Sequence, residues 1–422
     1  MISVTSVDQA FPEGLAGRAF ALSGLGDDIT VFFAVPAQDA PCLSAAPEAI
    51  LPYAGILALV RNTDLDLGDM PVDPLLLRNV RCALAAMAQS HQRRHVPKIL
   101  GGVAQPASPA RGSECGVFFS GGIDSIFSLL RHRQGATVPA ETVRPIAPVT
   151  RALHIYHTPE PVAPSAFRTL DRLAETVDRF GVRFLPVQSN IMTADRHVHD
   201  RWGDIGHGAG LATVLHILSG RLGTGIIGSS HVWGGLLPWG SGPVIDPLWS
   251  GRRLEVIHDD STFHRVEKTE FVAQHPEAMG AINVCDIRVD GKGYQNCSRC
   301  QKCLRTMITL DLFGMANPAS SPAFDWSDYT PGAFAKVFLR TDNDISYVID
   351  IRDRSEALGR TDVMQACDTA LTRARLMRPI SWTEDTIKAS PVGRRYRQGL
   401  KRLRDRGYRA VGLAAKSPVR QT

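Results

Sequence analysis

The stretch Val117–Arg131 constrains the fold of this chain more than any other part of the sequence. It begins as an apolar run, passes through a serine and two glycines at 120–122, and continues as an amphipathic segment. That order predicts a strand, a tight turn and a helix. A glycine turn at the start of a helix gathers backbone N–H groups that can bind phosphate without Cβ atoms in the way.

Polar side chains in the turn strengthen this prediction. Ser120 and Ser125 add hydroxyl donors, and Asp124 offers the oxygen ligands that Mg²⁺ needs to bridge phosphate groups. The turn lacks the Gly-Lys-Ser/Thr ending of a Walker loop, and it lacks the six-position glycine pattern of dinucleotide-binding folds. The sequence therefore indicates a phosphate-binding turn of another kind.

The pattern Ser-Gly-Gly-x-Asp-Ser resembles the PP-loop of the N-type ATP pyrophosphatase superfamily. Five residues carry the match, namely Ser120, Gly121, Gly122, Asp124 and Ser125. The resemblance implies cleavage of ATP between its α and β phosphates. It also implies that AMP is transferred to a substrate oxygen, from which a nitrogen or sulfur nucleophile then displaces it.

Predicted strands and helices alternate from Glu114 onward. Strands are predicted at 116–119, 152–157, 181–187 and 225–228, and the helices between them at 125–133, 166–180 and 209–218. This alternation predicts an α/β fold with a doubly wound parallel sheet, in which ligands bind beyond the carboxyl ends of the strands. The resemblance makes this a HUP-like PP-loop domain.

The changes in pattern along the chain predict four parts. They are an N-terminal α+β accessory domain at 1–100, the PP-loop ATP pyrophosphatase domain at 114–280, a zinc-binding and helical C-terminal lobe at 281–378, and a basic tail at 379–422. Within the C-terminal lobe, the β-branched content of Ser346–Ile351 predicts a short strand. The spacing of apolar residues predicts a helix over Met364–Leu376.

Two segments after the fourth predicted strand extend the candidate site. Gly228, Ser229 and Ser230 match the place where the resembled enzymes close over adenine and ribose. Lys268, which follows Glu267, matches the family's second motif, in which a lysine reaches the triphosphate and stabilises the departing pyrophosphate. A surface charge arrangement is the alternative interpretation of Lys268.

The glycine-rich loop that follows Ser230 carries two tryptophans. Trp233 and Trp239 predict either a flat apolar wall on which a ligand stacks, or two core side chains that pin the loop. The sequence leaves both interpretations open.

Four of the eight cysteines cluster, and their spacing predicts a metal site. Cys297, Cys300 and Cys303 are each separated by two residues, and Cys285 precedes them. Four sulfur ligands are typical of a closed structural Zn²⁺ site. An iron–sulfur cluster is the alternative, although the ferredoxin pattern continues to a further cysteine and a proline, which are absent after Cys303.

A PP-loop followed by this cysteine arrangement resembles the 7-cyano-7-deazaguanine synthase-like proteins over about Glu114–Phe313. Those enzymes adenylate a carboxylate and add ammonia. The resemblance therefore implies an ATP-dependent C–N ligase with ATP, Mg²⁺ and Zn²⁺, in which Asp124 and Lys268 are catalytic. Its partners would be a small-molecule carboxylate and a nitrogen donor, either ammonia or an amine. The alternatives are a PP-loop enzyme that thiolates tRNA and a nucleotide-binding module without turnover.

Composition and charge limit the remaining partners. The net charge of +5 is concentrated after residue 379, where the chain has eleven Lys/Arg and three Asp/Glu. Such a basic segment is more often a solvated helix or a disordered tail than a nucleic-acid-binding surface. Nucleic-acid binding is therefore disfavoured but stays open. No apolar run reaches the length of a membrane span, and the first residues lack the layout of a signal peptide. We expect a cytoplasmic protein that is able to form a homodimer.

Overall fold

The computed structural model describes residues 1–105, 110–136, 147–235, 239–259, 261–285, 296–339 and 341–389, with the backbone alone at 168–169 and 378–389. Most of the predicted basic tail lies outside these residues. The last helix, Thr361–Ala389, crosses position 378, so the predicted boundary there is not a break in secondary structure.

The described residues form a mixed α/β structure. The strands are β1 Ile2–Val7, β2 Leu15–Ser23, β3 Ile29–Pro36, β4 Leu65–Asp66, β5 Pro71–Val72, β6 Ile99–Leu100, β7 Val103–Ala104, β8 Glu114–Phe118, β9 Arg151–His157, β10 Arg183–Ser189, β11 Leu222–Gly228 and β12 Glu255–Asp259. The helices are α1 Leu51–Arg61, α2 Pro74–Ser90, α3 Ile123–His132, α4 Asp171–Arg179, α5 Arg196–Asp200, α6 His207–Ile217, α7 Arg265–Ala273, α8 Pro276–Met279, α9 Gln301–Leu312, α10 Pro331–Phe334, α11 Asp342–Ala357 and α12 Thr361–Ala389.

Ten of these strands form one sheet with the order β12-β11-β8-β9-β10-β3-β2-β1-β4-β6. The five strands from β12 to β10 pair in parallel, as the sequence predicts. The sheet continues beyond this parallel set, because β10 pairs antiparallel with β3 and the strands β1, β2 and β3 form an antiparallel meander. Short loops join these three strands, and such loops permit only antiparallel neighbours.

The strand order within the parallel set reverses at β8. The chain proceeds from β8 to β9 and β10 on one side, and then returns to place β11 and β12 on the other side. Such a reversal point is where ligands bind in open α/β sheets, at the carboxyl ends of the strands. The segment that follows β8 is the predicted phosphate-binding turn.

Helices cover both faces of the parallel set. Gly225 of β11 lies under α6, since a Cβ atom at this position would lie 2.4 Å from the side chain of Leu215. On the opposite face, Asp259 at the end of β12 accepts a hydrogen bond from His132 of α3 at 2.7 Å. The hydrophobic core of the first face also contains α1, whose residues from Leu51 to Val60 are all buried.

Contacts divide the chain into two compact units. The first contains Met1–Ser120 and Ser128–Thr262, and the second contains Gly121–Phe127 and the chain from Phe263 onward. The strands of the first hundred residues therefore belong to the same unit as β8–β12, and all of them except β5, which pairs with β7, belong to the same sheet. The functional roles assigned above to the four parts of the chain stay predictions.

The second unit is helical where the sequence predicts a strand. Ser346–Ile351 lies inside α11, whose first turn is fixed by a capping box between Thr341 and Asp344. Tyr347, Val348 and Ile351 are buried on one side of this helix. Tertiary packing of this apolar face outweighs the local β propensity of the segment. Among the described helices of the chain, none is long and apolar enough to cross a membrane.

Buried charges connect the N-terminal strands to the parallel set. Arg151 of β9 pairs with Asp39, which follows β3, at 3.1 Å and with Glu114 of β8 at 2.6 Å. The side chains of Arg151 and Asp39 are 7% and 3% exposed. We expect Arg151→Met to lower the free energy of unfolding by about 2 kcal/mol, because it leaves Asp39 and Glu114 with only the more exposed Arg183 and Arg221 as partners.

Urea denaturation of the two proteins measures this difference. Arg196→Met is the matched control, since the Arg196 side chain is 87% exposed and its ion pair with Asp200 lies on the surface of α5. The control should change stability by less than about 0.5 kcal/mol. Equal effects of the two substitutions would contradict the proposed importance of the Arg151 ion pairs.

Candidate functional site

The turn after β8 contains a glycine of positive φ and leads directly into a helix. Gly121 has φ of 79°, which places it in the left-handed region that L side chains rarely adopt. The carbonyl of Gly122 accepts hydrogen bonds from the backbone N–H of Ile126 at 2.9 Å and from the hydroxyl of Ser125 at 2.8 Å. These bonds begin α3 directly after the turn, so the N-terminus of a helix of ten residues follows the glycines.

Asp124 lies in the first turn of α3 and pairs with an arginine. Its Oδ2 atom is 3.1 Å from a guanidinium nitrogen of Arg265, the first residue of α7. The charge of Asp124 raises the pKa of Arg265, against the lowering effect of burial. The start of α7 is fixed by Glu267, whose carboxylate accepts the backbone N–H of His264 at 2.6 Å. Glu267 therefore has a structural role in this helix.

Lys268 is a buried residue, and the surface interpretation of it is wrong. Only 2% of its surface is exposed, and its Nζ lies 5.5 Å from the centroid of the Phe127 ring. Phe263 and Phe271 surround the same ring, with centroid distances of 5.5 and 5.2 Å. A lysine held among aromatic rings in the same unit as Gly121–Phe127 supplies a poorly hydrated positive charge.

Arg305 and Arg265 lie over the same aromatic ring, that of Tyr347, and the sequence does not predict this arrangement. The guanidinium of Arg305 stacks over the Tyr347 ring at 4.3 Å, and that of Arg265 lies over the same ring at 5.3 Å. Among the described residues, no carboxylate forms an ion pair with Arg305. Burial and then the nearby charge of Arg265 lower the pKa of Arg305 to about 10. A half-buried arginine without a carboxylate partner among the described residues is suited to an anionic ligand.

The predicted residues at the end of β11 lie in the first unit, as does Ser120. Ser229 is buried, its hydroxyl donates to the carbonyl of His231 at 2.6 Å, and it lies 3.0 Å from the hydroxyl of Ser261. Its side chain thus stabilises the loop. Gly228 and Ser230 line a cavity of about 310 Å³ in this unit.

The four predicted metal ligands come together in the second unit. Their sulfur atoms all lie within 4.8 Å of one another, and three separations are 3.7 Å (Cys285–Cys300), 3.8 Å (Cys297–Cys303) and 3.5 Å (Cys300–Cys303). A single tetrahedral ion with metal–sulfur bonds of about 2.3 Å requires sulfur–sulfur separations of about 3.8 Å. This cysteine cluster could therefore bind one metal ion.

Hydrogen bonding among the thiols raises the pKa of Cys303 and lowers that of Cys297. Four sulfurs at these distances repel one another when all are ionised, so a bound cation is what allows all four to be thiolates.

Asn296 holds the backbone around the cysteine cluster, and sequence reasoning missed it. Its side-chain amide donates to the carbonyls of Ile282 at 2.7 Å and Ala323 at 3.0 Å, and its oxygen accepts the N–H of Val284 at 2.9 Å. These bonds fix the segment that carries Cys285. An asparagine immediately before a cysteine motif was the available signal, but three partners this far apart in sequence cannot be read from it.

No protein-family model, no curated protein and no solved structure matches this chain.

We expect Cys300→Ser to abolish metal binding, because serine replaces one of four thiolates with a weak ligand. Elemental analysis of the purified protein should give one metal ion per chain for the wild type and almost none for the variant. The matched control is Cys82→Ser, at an exposed cysteine outside the cluster, which should retain the metal. A wild-type protein that carries no metal after expression in metal-supplemented medium would contradict this prediction.

Substitution of Arg305 should separate ligand binding from stability. We expect Arg305→Met to weaken the binding of pyrophosphate at least 10-fold, because it removes a half-buried cation that lacks a carboxylate partner among the described residues. Its stability should stay equal or rise, since an unpaired half-buried charge is costly. Isothermal titration calorimetry and thermal unfolding measure the two quantities.

Arg354→Met is the control for this experiment. Arg354 belongs to the same unit, but both oxygens of Glu270 already pair with it at 2.7 Å. It should bind pyrophosphate as the wild type does. A purely structural role for Arg305 predicts the reverse, a loss of stability with pyrophosphate binding unchanged.

Proposed function

We propose that this protein is an ATP-dependent C–N ligase of the PP-loop ATP pyrophosphatase type. It adenylates a small-molecule carboxylate with release of pyrophosphate, and ammonia or an amine then attacks the acyl-adenylate. The observation that carries the proposal is the position of the turn at 120–122. It leaves the carboxyl end of the strand at which the order of the parallel set reverses, and a helix begins directly after it. We assign the parallel set to the HUP-like fold on the same ground.

The residues around the turn are assigned the following roles. Ser120, Gly121, Gly122 and Ser125 bind the phosphates of ATP, and Asp124 binds the Mg²⁺ that shields them. When bound, Mg²⁺ neutralises charge on the phosphate oxygens. Lys268 stabilises the charge that develops on the departing pyrophosphate, and the electrostatic gain is large because the lysine is buried.

The ion pair with Arg265 occupies the carboxylate of Asp124 that we assign to Mg²⁺. We infer that Arg265 turns to the phosphates when ATP and Mg²⁺ enter, which frees the carboxylate for the ion. Arg305 then provides a second guanidinium over the same Tyr347 ring.

We propose Zn²⁺ for the cysteine cluster. The sulfur separations of 3.5 to 3.8 Å favour one ion, because an iron–sulfur cluster would lie between the sulfurs and hold them farther apart. Such a site stabilises the unit that carries α9, whose N-terminus begins at the cluster.

Burial of Cys115 argues against the tRNA-thiolating alternative. Sulfur transfer requires an accessible thiolate of lowered pKa. Cys115 is only 1% exposed, and burial raises the pKa of its thiol to about 12. Cys42 is also buried, and its thiol pKa is raised for the same reason.

The proposed chemistry predicts AMP and pyrophosphate as products. In an exchange assay with labelled pyrophosphate and pools of carboxylic acids, we expect at least one acid to support its incorporation into ATP. Gly121→Ala should reduce this exchange at least 100-fold, because alanine at φ of 79° displaces the turn that holds the phosphates.

Gly135→Ala is a matched control, since Gly135 has φ of 74° and open space around its Cβ position, and it lies outside the turn. It carries a similar backbone penalty and should retain exchange. Formation of ADP in place of AMP, or exchange with no acid in any pool, would refute the proposed function.

A further inference from the structure

A pocket of about 310 Å³ lies in the first unit, and the sequence assigns only its border at Gly228 and Ser230, to adenine and ribose, while the rest has no assigned ligand. Gly228 and Ser230 border it at the end of β11, and His258 of β12 borders it beside them. Met87 of α2, His207 of α6 and Trp239 contribute further walls. This volume is at the lower end of the range for small-molecule sites.

The pocket is lined by His258, and a hydrogen bond to Asp246 fixes the orientation of its ring. Nδ1 of His258 lies 2.7 Å from Oδ2 of Asp246, and the two side chains are 4% and 0% exposed. The hydroxyl of Ser241 donates to the same carboxylate oxygen at 2.6 Å. Because Nδ1 donates to the carboxylate, the lone pair of neutral His258 is on Nε2. A carboxylate that holds Nδ1–H of a histidine and leaves Nε2 as the acceptor is typical of histidines that act as general bases.

The walls of the pocket select an uncharged ligand. The described residues that line it include no lysine, arginine, aspartate or glutamate, so these walls offer neither a phosphate nor a carboxylate such a counter-ion. Burial lowers the pKa of His207, which keeps that ring neutral at pH 7. Trp239 and Met87 offer apolar surface, and Nε2 of His258 offers a hydrogen-bond acceptor. An uncharged molecule with an N–H group meets both requirements.

The location of the pocket relates it to the proposed chemistry. Ile226 of β11 pairs with Val117 of β8, so Gly228 at the end of β11 is level with Phe119. Phe119 immediately precedes Ser120, the first residue of the turn. The pocket therefore lies at the same edge of the sheet as the start of the phosphate-binding turn.

We propose that this pocket binds the uncharged amine nucleophile and that His258 accepts its proton. The inference rests on the proposed function. The amine nitrogen forms a C–N bond to the acyl carbon, the bond from that carbon to the AMP oxygen breaks, and AMP leaves with the electron pair. The proton lost by the nitrogen goes to Nε2 of His258, and the carboxylate of Asp246 stabilises the resulting imidazolium.

Fluorinated probes test the binding step without knowledge of the natural substrate. Fluorine NMR titrations would compare 4-fluoroaniline, 4-fluorotoluene and 4-fluorobenzoate, which share a ring and differ in the group offered to His258. We expect saturable binding of the aniline and about 10-fold weaker binding of the toluene, which lacks the N–H donor. The benzoate should not bind, because no lysine or arginine is among the described residues that line the pocket.

His258→Asn is the decisive variant. The asparagine amide still donates to Asp246, so the buried carboxylate stays paired, but the acceptor at Nε2 is lost. The variant should bind the aniline only as well as the toluene. His199→Asn, at a histidine of α5 outside the pocket, should bind the aniline as the wild type does.

Several outcomes would overturn the proposal. They are equal or tighter binding of the benzoate, unchanged aniline binding in His258→Asn, and no aniline binding up to its solubility limit. Once an acid supports pyrophosphate exchange, amide formation by His258→Asn should also fall about 100-fold further than exchange does. If no acid supports exchange, the proposed function fails, while the probe titrations still decide the role of the pocket.

Discussion

The parallel pairing of β8 with β9 on one side and with β11 on the other is the constraint on which the rest depends. Both edges of β8 are hydrogen-bonded to neighbouring strands, and the chain leaves the sheet at the carboxyl end of β8. The glycine at 121, which has a positive φ, follows in the chain, and α3 begins directly after the turn. Because β11 and β12 end at the same edge, Gly228 and His258 are placed there too.

Several charged groups of this protein are removed from water, which lowers the free energy of unfolding unless a partner compensates. Arg151 and Asp39 satisfy one another, so they connect the antiparallel meander to the parallel strands. Arg305 is different, because its guanidinium stacks on the Tyr347 ring and no carboxylate among the described residues forms an ion pair with it. A stable fold without a ligand would gain nothing from a guanidinium that lacks an ion pair. We interpret Arg305 as a residue kept for an anion that the protein binds.

Prediction from sequence was accurate where the signal is local and failed where it is not. The turn at 120–122, the parallel strands and the cysteine cluster all follow from short patterns. Ser346–Ile351 was assigned to a strand because its residues favour one, whereas burial of Tyr347 and Val348 against neighbouring helices makes it part of α11. Arg305 and Asn296 were missed because their partners lie elsewhere in the chain.

The sequence by itself determined the glycine turn at 120–122 and the pattern of the four cysteines, since backbone conformation at glycine and cysteine spacing depend on neighbours within a few positions. Only the tertiary structure decided that β3 joins β10 and that Asp246 orients His258. Only it decided that Arg305 stacks on Tyr347. These contacts join residues that are far apart or unpatterned in sequence, and their energies come from burial, which exists only once the chain has packed.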